Sequence, residues 1–219
     1  MSDGCVLDVF MTITMNGSEI LKFLQEEIHT IVVATNNEQG LPITCAIDVM
    51  DYDEKGLYFL TAKGKNFYKR LTSTGYLSLT GIKGESTLSC VAVSVCGKVK
   101  EIGSERLRRL FDKNQYMYEI YPTGQSRSAL TVFCIYQGNG EWFDLSKKPI
   151  ERFSFAFGGN NISIGGYYIT DKCIECGKCL SVCPQNCIVL GEKAVIMQEN
   201  CLHCGNCQKV CPVDAVIRK

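Results

Sequence analysis

The chain contains 219 residues, of which 46% are hydrophobic and 21% charged, a composition typical of a soluble globular protein. Because 23 basic residues balance 23 acidic ones, the charge gives no reason to expect binding to nucleic acid or to an anionic membrane. No apolar run reaches the ~18 residues of a membrane span, and the N-terminus lacks the basic and cleavage regions of a signal peptide. We therefore expect a cytoplasmic protein with one domain of ordinary size and a second, small one.

The first part of the chain predicts one helix followed by a meander of strands. Residues 18–29 form the helix, because Ile20, Leu21, Leu24 and Ile28 recur on one face. The hydrophobic period then changes to two, and turns containing Gly, Asn or Asp separate three strands at hairpin spacing. These strands span residues 30–36, 41–51 and 57–61.

The following segment predicts further strands and two short helices, which complete a domain of residues 1–150. The helices span 63–71 and 104–115, and the strands span 76–81 and 88–102. A final hairpin joins residues 131–137 to 141–145 across Gly138-Asn139-Gly140. About six strands with a few short helices favour a mainly β fold, a small barrel, over a parallel sheet.

Residues 151–166 are predicted to connect this domain to the last one. Two glycine pairs, Gly158-Gly159 and Gly165-Gly166, are typical of a linker. Its aromatic residues, Phe153, Phe155 and Phe157, indicate that it packs against a domain.

Residues 167–219 contain two copies of the pattern C-x2-C-x2-C-x3-C-P. The first copy holds Cys173, Cys176, Cys179 and Cys183, and the second holds Cys201, Cys204, Cys207 and Cys211. Three cysteines on one loop can reach three irons of a cubane cluster, and in two-cluster ferredoxins the last cysteine of the opposite copy is the fourth ligand. This rule pairs Cys211 with the first copy and Cys183 with the second. The stretch resembles the bacterial two-[4Fe–4S] ferredoxin, which implies two [4Fe–4S] clusters in a small α+β domain.

Zinc and disulfide bonds are the alternatives for these cysteines. Zinc sites usually combine two CxxC pairs, which leaves the third cysteine of each copy and both prolines unexplained. The remaining cysteines lie mostly among apolar, β-prone neighbours, where a free thiol behaves as a small hydrophobic group. We expect them to be reduced core residues, as in a reducing cytoplasm; they are Cys5, Cys45, Cys90, Cys96, Cys134 and Cys187.

The order of elements over about residues 15–150 resembles the pyridoxamine-phosphate-oxidase-like FMN-binding split barrels. The resemblance is carried by residues 32–42, 56–65, 68–71, 78–80 and 97–101. It implies a split β-barrel that binds FMN at a homodimer interface. The overall expectation is a mainly β split barrel with short helices, followed by the small α+β ferredoxin domain.

The same resemblance implies a set of flavin contacts, which are Ile43, Thr44, Thr61, Lys63, Lys65 and Trp142. A phosphate dianion would suit the hydroxyl of Thr61, the ammonium groups of Lys63 and Lys65, and the backbone N–H groups where the predicted helix begins. The alternative for both lysines is a solvated helix start, and for Trp142 a place in the core. No arginine lies between Pro42 and Asp51, which weakens the case for a vitamin B6 substrate.

These features predict a flavin and iron–sulfur oxidoreductase. Clusters pass single electrons, and FMN can accept them singly and deliver two as a hydride. A soluble donor such as ferredoxin would supply electrons, and a small molecule would be reduced. The alternatives are a non-enzymatic electron-transfer subunit and a redox sensor. No residue is assigned as the proton donor.

Overall fold

The computed structural model describes residues 15–162 and 165–219. Its larger part is an eight-stranded antiparallel sheet, which confirms the predicted mainly β fold. Its strands are β1 (Thr30–Asn36), β2 (Pro42–Asp48), β3 (Asp51–Asp53), β4 (Gly56–Ala62), β5 (Tyr76–Lys83), β6 (Val91–Gly103), β7 (Leu130–Asp144) and β8 (Glu151–Phe157). The strand order is β2-β1-β5-β6-β7-β4-β3, and β8 pairs with the other part of β7.

The predicted first helix is present as α1 (Gly17–Phe23), which continues into a π-helical turn, Leu24–Ile28. Asn16 caps it: the backbone N–H of Glu19 donates to Asn16 Oδ1 at 3.0 Å, and the N–H of Asn16 donates to the Glu19 carboxylate at 2.7 Å. The described part of the barrel also contains the α-helices α2 (Asn66–Thr74), α3 (Leu107–Lys113), α4 (Met117–Ile120) and α5 (Gly124–Arg127). Among the described residues, no helix is long and apolar enough to cross a bilayer.

The predicted hairpin across Gly138-Asn139-Gly140 is wrong, because β7 runs through these residues without a turn. Both glycines instead allow neighbouring strands to approach closely. A Cβ atom on Gly140 would lie 2.2 Å from the carbonyl oxygen of Ser94, and one on Gly138 would lie 2.8 Å from that of Cys96. Glycine within a strand can mark such a close approach as well as a turn.

The predicted linker is also corrected, because its first half is strand β8. Glu151 pairs with Asp144 and Phe157 with Gly138, so that β8 extends the sheet along β7. Phe155 is 2% exposed and Phe157 8% exposed, and both belong to the barrel core. Burial of these aromatic side chains holds the segment on the barrel.

The C-terminal part is a small α+β unit, as predicted. Its strands are β9 (Tyr167–Ile169), β10 (Ile188–Leu190), β11 (Ala194–Ile196) and β12 (Val216–Arg218), and its helices are α6 (Lys178–Ser181) and α7 (Asn206–Lys209). β9 pairs with β12 and β10 with β11, both antiparallel. Its buried cluster is small, and six of the eight motif cysteines lie in it or pack against it, so the unit has little core of its own.

Candidate cluster and flavin sites

Two cavities in the C-terminal unit each collect four motif cysteines. One cavity is lined by Cys173, Cys176, Cys179 and Cys211. The other is lined by Cys201, Cys204, Cys207 and Cys183. We call them the Cys173 site and the Cys201 site. Each combines three cysteines of one copy with the last cysteine of the other, which is the crossed arrangement predicted from the sequence.

The four motif cysteines and the apolar lining of each cavity suit an iron–sulfur cluster. Among residues 15–162 and 165–219, no three His, Cys, Asp or Glu side chains are grouped so as to hold a single ion. A tetrahedral zinc site would need its four ligands around one point. Thiolates around an apolar cavity, by contrast, fit the corners of a [4Fe–4S] cubane.

The two motif loops share one backbone conformation. Glu175 and His203, each two residues after the first cysteine of its copy, both have positive φ, at 56° and 54°. Gly177 and Gly205 follow with φ of 70° and 77°. The repeated left-handed positions turn each loop around its cavity. His203 therefore occupies a loop position equivalent to Glu175.

Backbone amides also point at motif sulfurs. The N–H of Ala215 donates to Cys211 Sγ at 3.2 Å, and the N–H of His203 donates to Cys201 Sγ at 3.4 Å. Such hydrogen bonds stabilise a ligating thiolate and are one control of cluster potential. The residues present therefore fit an iron–sulfur cluster at each site.

The Cys201 site lies on the side of the unit that faces the barrel. Asn200 Nδ2 donates to the carbonyl oxygen of Ile150 at 2.8 Å, and the N–H of Ile150 donates to Gln185 Oε1 at 3.3 Å. Arg152 of β8 and His203 line one groove at this junction. Burial, followed by the charge of Arg152, lowers the pKa of His203.

The predicted phosphate residues Lys63 and Lys65 both lie exposed beside the start of α2. Lys65 is the N-cap residue of this helix and makes no side-chain capping hydrogen bond. The first amides of a helix have no intrahelical acceptor, so they can donate to an anion placed there. Thr61 differs, because it is only 4% exposed at the end of β4 and offers a ligand almost no surface.

Sequence reasoning missed Arg70, which brings a guanidinium group to the same region. Arg70 Nε donates to Thr35 Oγ1 of β1 at 2.8 Å. Burial raises the pKa of Cys45 on β2, whereas the positive charges of Arg70 and Lys65 lower it. Both cations therefore lie near that strand. Arg70 lies five residues beyond Lys65, the N-cap of α2, and its contact with Thr35 is a tertiary one that no local pattern reveals.

The predicted flavin contacts on β2 are accessible. Ile43 is 38% exposed and Thr44 is also exposed. Ile43 lies directly opposite Thr35, the hydrogen-bond partner of Arg70, in the antiparallel register of β1 and β2. Residues opposite each other share one face of a sheet. Ile43 and the cationic groups therefore border the same edge of the barrel.

Trp142, a predicted flavin contact, lies in the core of the barrel. Its side chain is 5% exposed, and its ring lies 4.8 Å from that of Phe23 and 5.9 Å from that of Phe153, centroid to centroid. Within the described chain its Nε1 has no hydrogen-bond partner. Aromatic packing inside one subunit leaves little of the indole available to a ligand.

The cysteines outside the motifs were predicted to be core residues, and the structure divides them. Cys134 and Cys187 are buried, Cys45 and Cys90 are partly exposed, Cys96 is exposed, and Cys5 lies outside the described residues. The prediction is wrong for Cys96, because its side chain alternates onto the outer face of β6 beside Ser78, 3.2 Å away.

Comparison with known families agrees with this architecture. The family model described as pyridoxamine 5'-phosphate oxidase matches residues 17–136, more than half of the 219-residue chain. The chain belongs to this family. A second model, described as a 4Fe-4S dicluster domain, matches residues 172–215 and covers all eight motif cysteines. The chain is thus a pyridoxamine 5'-phosphate oxidase family barrel followed by a dicluster domain.

Solved structures support the barrel fold. A NimC/NimA family protein from Clostridium acetobutylicum is 17% identical with a TM-score of 0.54, over 64% of this chain and 90% of that one. A heme binding protein from Mycobacterium smegmatis is 13% identical with a TM-score of 0.51, over 67% of this chain and 60% of that one. Identities this low show a shared fold alone. No protein with a curated description matches the chain significantly.

Proposed function

We propose that this chain is an FMN- and iron–sulfur-dependent oxidoreductase that takes electrons from a soluble donor and reduces a small molecule. The observation that carries the proposal is that two four-cysteine cavities are joined to a flavin-type barrel, with one of them facing it. When bound, clusters supply one-electron transfer and FMN supplies the conversion to two-electron chemistry. The combination of the two family matches supports redox or electron-transfer chemistry.

The residues around the Cys201 site support contact with the barrel. Asn200 and Gln185 hydrogen bond to both backbone groups of Ile150, the residue that precedes β8. These bonds, together with the pairing of β8 to β7, fix the distance between the Cys201 site and the sheet. A fixed separation suits electron exchange between two parts of one chain.

The surface near the Cys173 site supports a protein donor. Ile174 is 60% exposed beside this cavity, and Leu190, which also lines it, is 50% exposed. Exposed aliphatic side chains grouped around a redox site are typical of a small, transient docking surface. We therefore propose that a soluble carrier such as ferredoxin docks here, on the side away from the barrel contacts.

We further propose that FMN binds between two subunits, with Lys63, Lys65 and Arg70 at its phosphate and β2 beside its ring. The outer face of the sheet supports a homodimer. Val32, Tyr76 and Ile82 are exposed on that face, since Val32 lies opposite Thr80 and side chains alternate along β5. Their apolar surface would be covered by a second copy.

The test is flavin reduction in protein reconstituted with FMN, using chemically reduced ferredoxin and stopped-flow absorbance. The variant Cys204→Ala removes a ligand of the Cys201 site, and Cys90→Ala removes a cysteine that lies outside both sites. We expect rapid flavin reduction in the wild type and Cys90→Ala, and reduction at least about tenfold slower in Cys204→Ala. Equal rates in all three proteins would contradict the proposed route. Failure of the wild type to bind FMN would favour the electron-transfer subunit.

A further inference from the structure

The repeat of the C-terminal unit places Cys187 and Ala215 at equivalent positions. Each residue lies four positions after the last cysteine of its copy, Cys183 or Cys211. Each follows a residue with φ of 51°, and each is buried, Cys187 at 5% and Ala215 at 1% exposure. The backbone therefore makes the same left-handed turn before both positions, where one site has a thiol and the other a methyl group.

The thiol of Cys187 lies at the wall of the Cys201 site. Its Sγ is 3.4 Å from Sγ of Cys183, and the residue lines the cavity with the four motif cysteines. At the Cys173 site the equivalent Ala215 offers Cys211 only its backbone N–H, at 3.2 Å. The Cys201 site therefore has five cysteines around its cavity, while the Cys173 site has four.

We propose that Cys187 is a positioning residue that donates an S–H···S hydrogen bond to the Cys183 thiolate and raises the reduction potential of the Cys201 site relative to the Cys173 site. This inference rests on the proposed binding of one [4Fe–4S] cluster at each site. A metal-ligating cysteine is a thiolate and can only accept, so in the loaded protein the thiol of Cys187 is the donor.

The direction follows from charge. Reduction adds negative charge to the cluster and its thiolates, and a donor aimed at a ligating sulfur stabilises the reduced form more than the oxidised form. The effect is stronger in a buried, weakly polar wall than in water. With a higher reduction potential at the Cys201 site, a transferred electron would reside mainly on the cluster that faces the barrel.

The test uses three variants of the full chain, followed by anaerobic potentiometric titration with EPR detection. Cys187→Ala removes the thiol, Cys187→Ser keeps a hydrogen-bond donor, and Ala215→Cys gives the Cys173 site the missing thiol. We expect Cys187→Ala to move one of the two cluster potentials to a more negative value and Cys187→Ser to restore most of that shift. Ala215→Cys should move the other potential to a more positive value. Iron and sulfide content should stay at the wild-type level in all three.

Other outcomes overturn the inference. If Cys187→Ala leaves both potentials unchanged, Cys187 only packs against the cluster. If the Cys187→Ala protein loses about four irons per chain, Cys187 acts as a ligand or is needed for folding. In that case Ala215→Cys decides, and an unchanged potential at the Cys173 site would overturn the inference. If Cys187→Ala and Ala215→Cys shift the same cluster potential, the placement of Cys187 and Ala215 at two different cluster sites is wrong. Absence of clusters in the wild type would overturn the proposed function as well.

Discussion

Cys183 lines the cavity of Cys201, although the two cysteines belong to different copies of the motif. In the same way, Cys211 of the second copy lines the cavity of Cys173. Each site therefore depends on both copies, and neither copy holds a complete set of four thiolates.

Paired cysteine substitutions test this exchange. Cys201→Ala should lower iron from about eight to about four per chain, because it removes one site. Adding Cys183→Ala should cause no further loss, since both residues serve the same site, whereas adding Cys211→Ala should remove the remaining iron. Iron and sulfide analysis of the two double variants is the measurement. The reverse order of losses would show that each copy binds its own cluster.

Lys65→Ala should weaken FMN binding about tenfold, because it removes one charged contact from the phosphate. Arg70→Ala should weaken it by a similar factor, which the sequence alone did not predict. Lys147→Ala, in the exposed connection between β7 and β8, is the matched control. Flavin fluorescence titration measures the affinity, and iron content should be unchanged in all three. Wild-type affinity in Lys65→Ala and Arg70→Ala would remove the phosphate assignment.

Trp142→Ala should destabilise the protein by about 3 kcal/mol or more, because it leaves a cavity between Phe23 and Phe153. Trp142→Phe should cost less, since it keeps an aromatic ring and removes a buried N–H group. Urea unfolding followed by circular dichroism gives the midpoints, with exposed Leu88→Ala as a control expected to change stability by less than about 0.5 kcal/mol. A normal midpoint with lost FMN binding in Trp142→Ala would show that Trp142 contacts the flavin.

Removal of the clusters should unfold the C-terminal unit while leaving the barrel folded. The core of this unit contains many motif cysteines, and its strands are short, so ligation supplies much of its stability. Hydrogen exchange before and after treatment with chelator and oxidant should show lost protection in residues 167–219 and retained protection in β5, β6 and β7. Retained protection in both parts would show that the unit folds without metal.

The sequence predicted the parts of the structure that depend on local patterns. The helix at Ile20, Leu21 and Leu24 and the first strand follow from hydrophobic periodicity, and the crossed cysteine sites follow from spacing. The sequence failed where long-range packing decides. Gly138 and Gly140 were predicted to form a turn, but they allow neighbouring strands to approach closely. Phe155 lies in strand β8, which forms by pairing with β7 and has no local signal of its own. Arg70 was missed because its proximity to β2 is a tertiary contact.

The most direct test of the account is the cofactor content of anaerobically purified protein after reconstitution with FMN. Iron, acid-labile sulfide and released flavin are measured per chain, together with the visible spectrum. We expect about eight iron, about eight sulfide and about one FMN. Eight iron with no flavin would contradict it, and would leave the barrel as a scaffold for an electron carrier or a redox sensor.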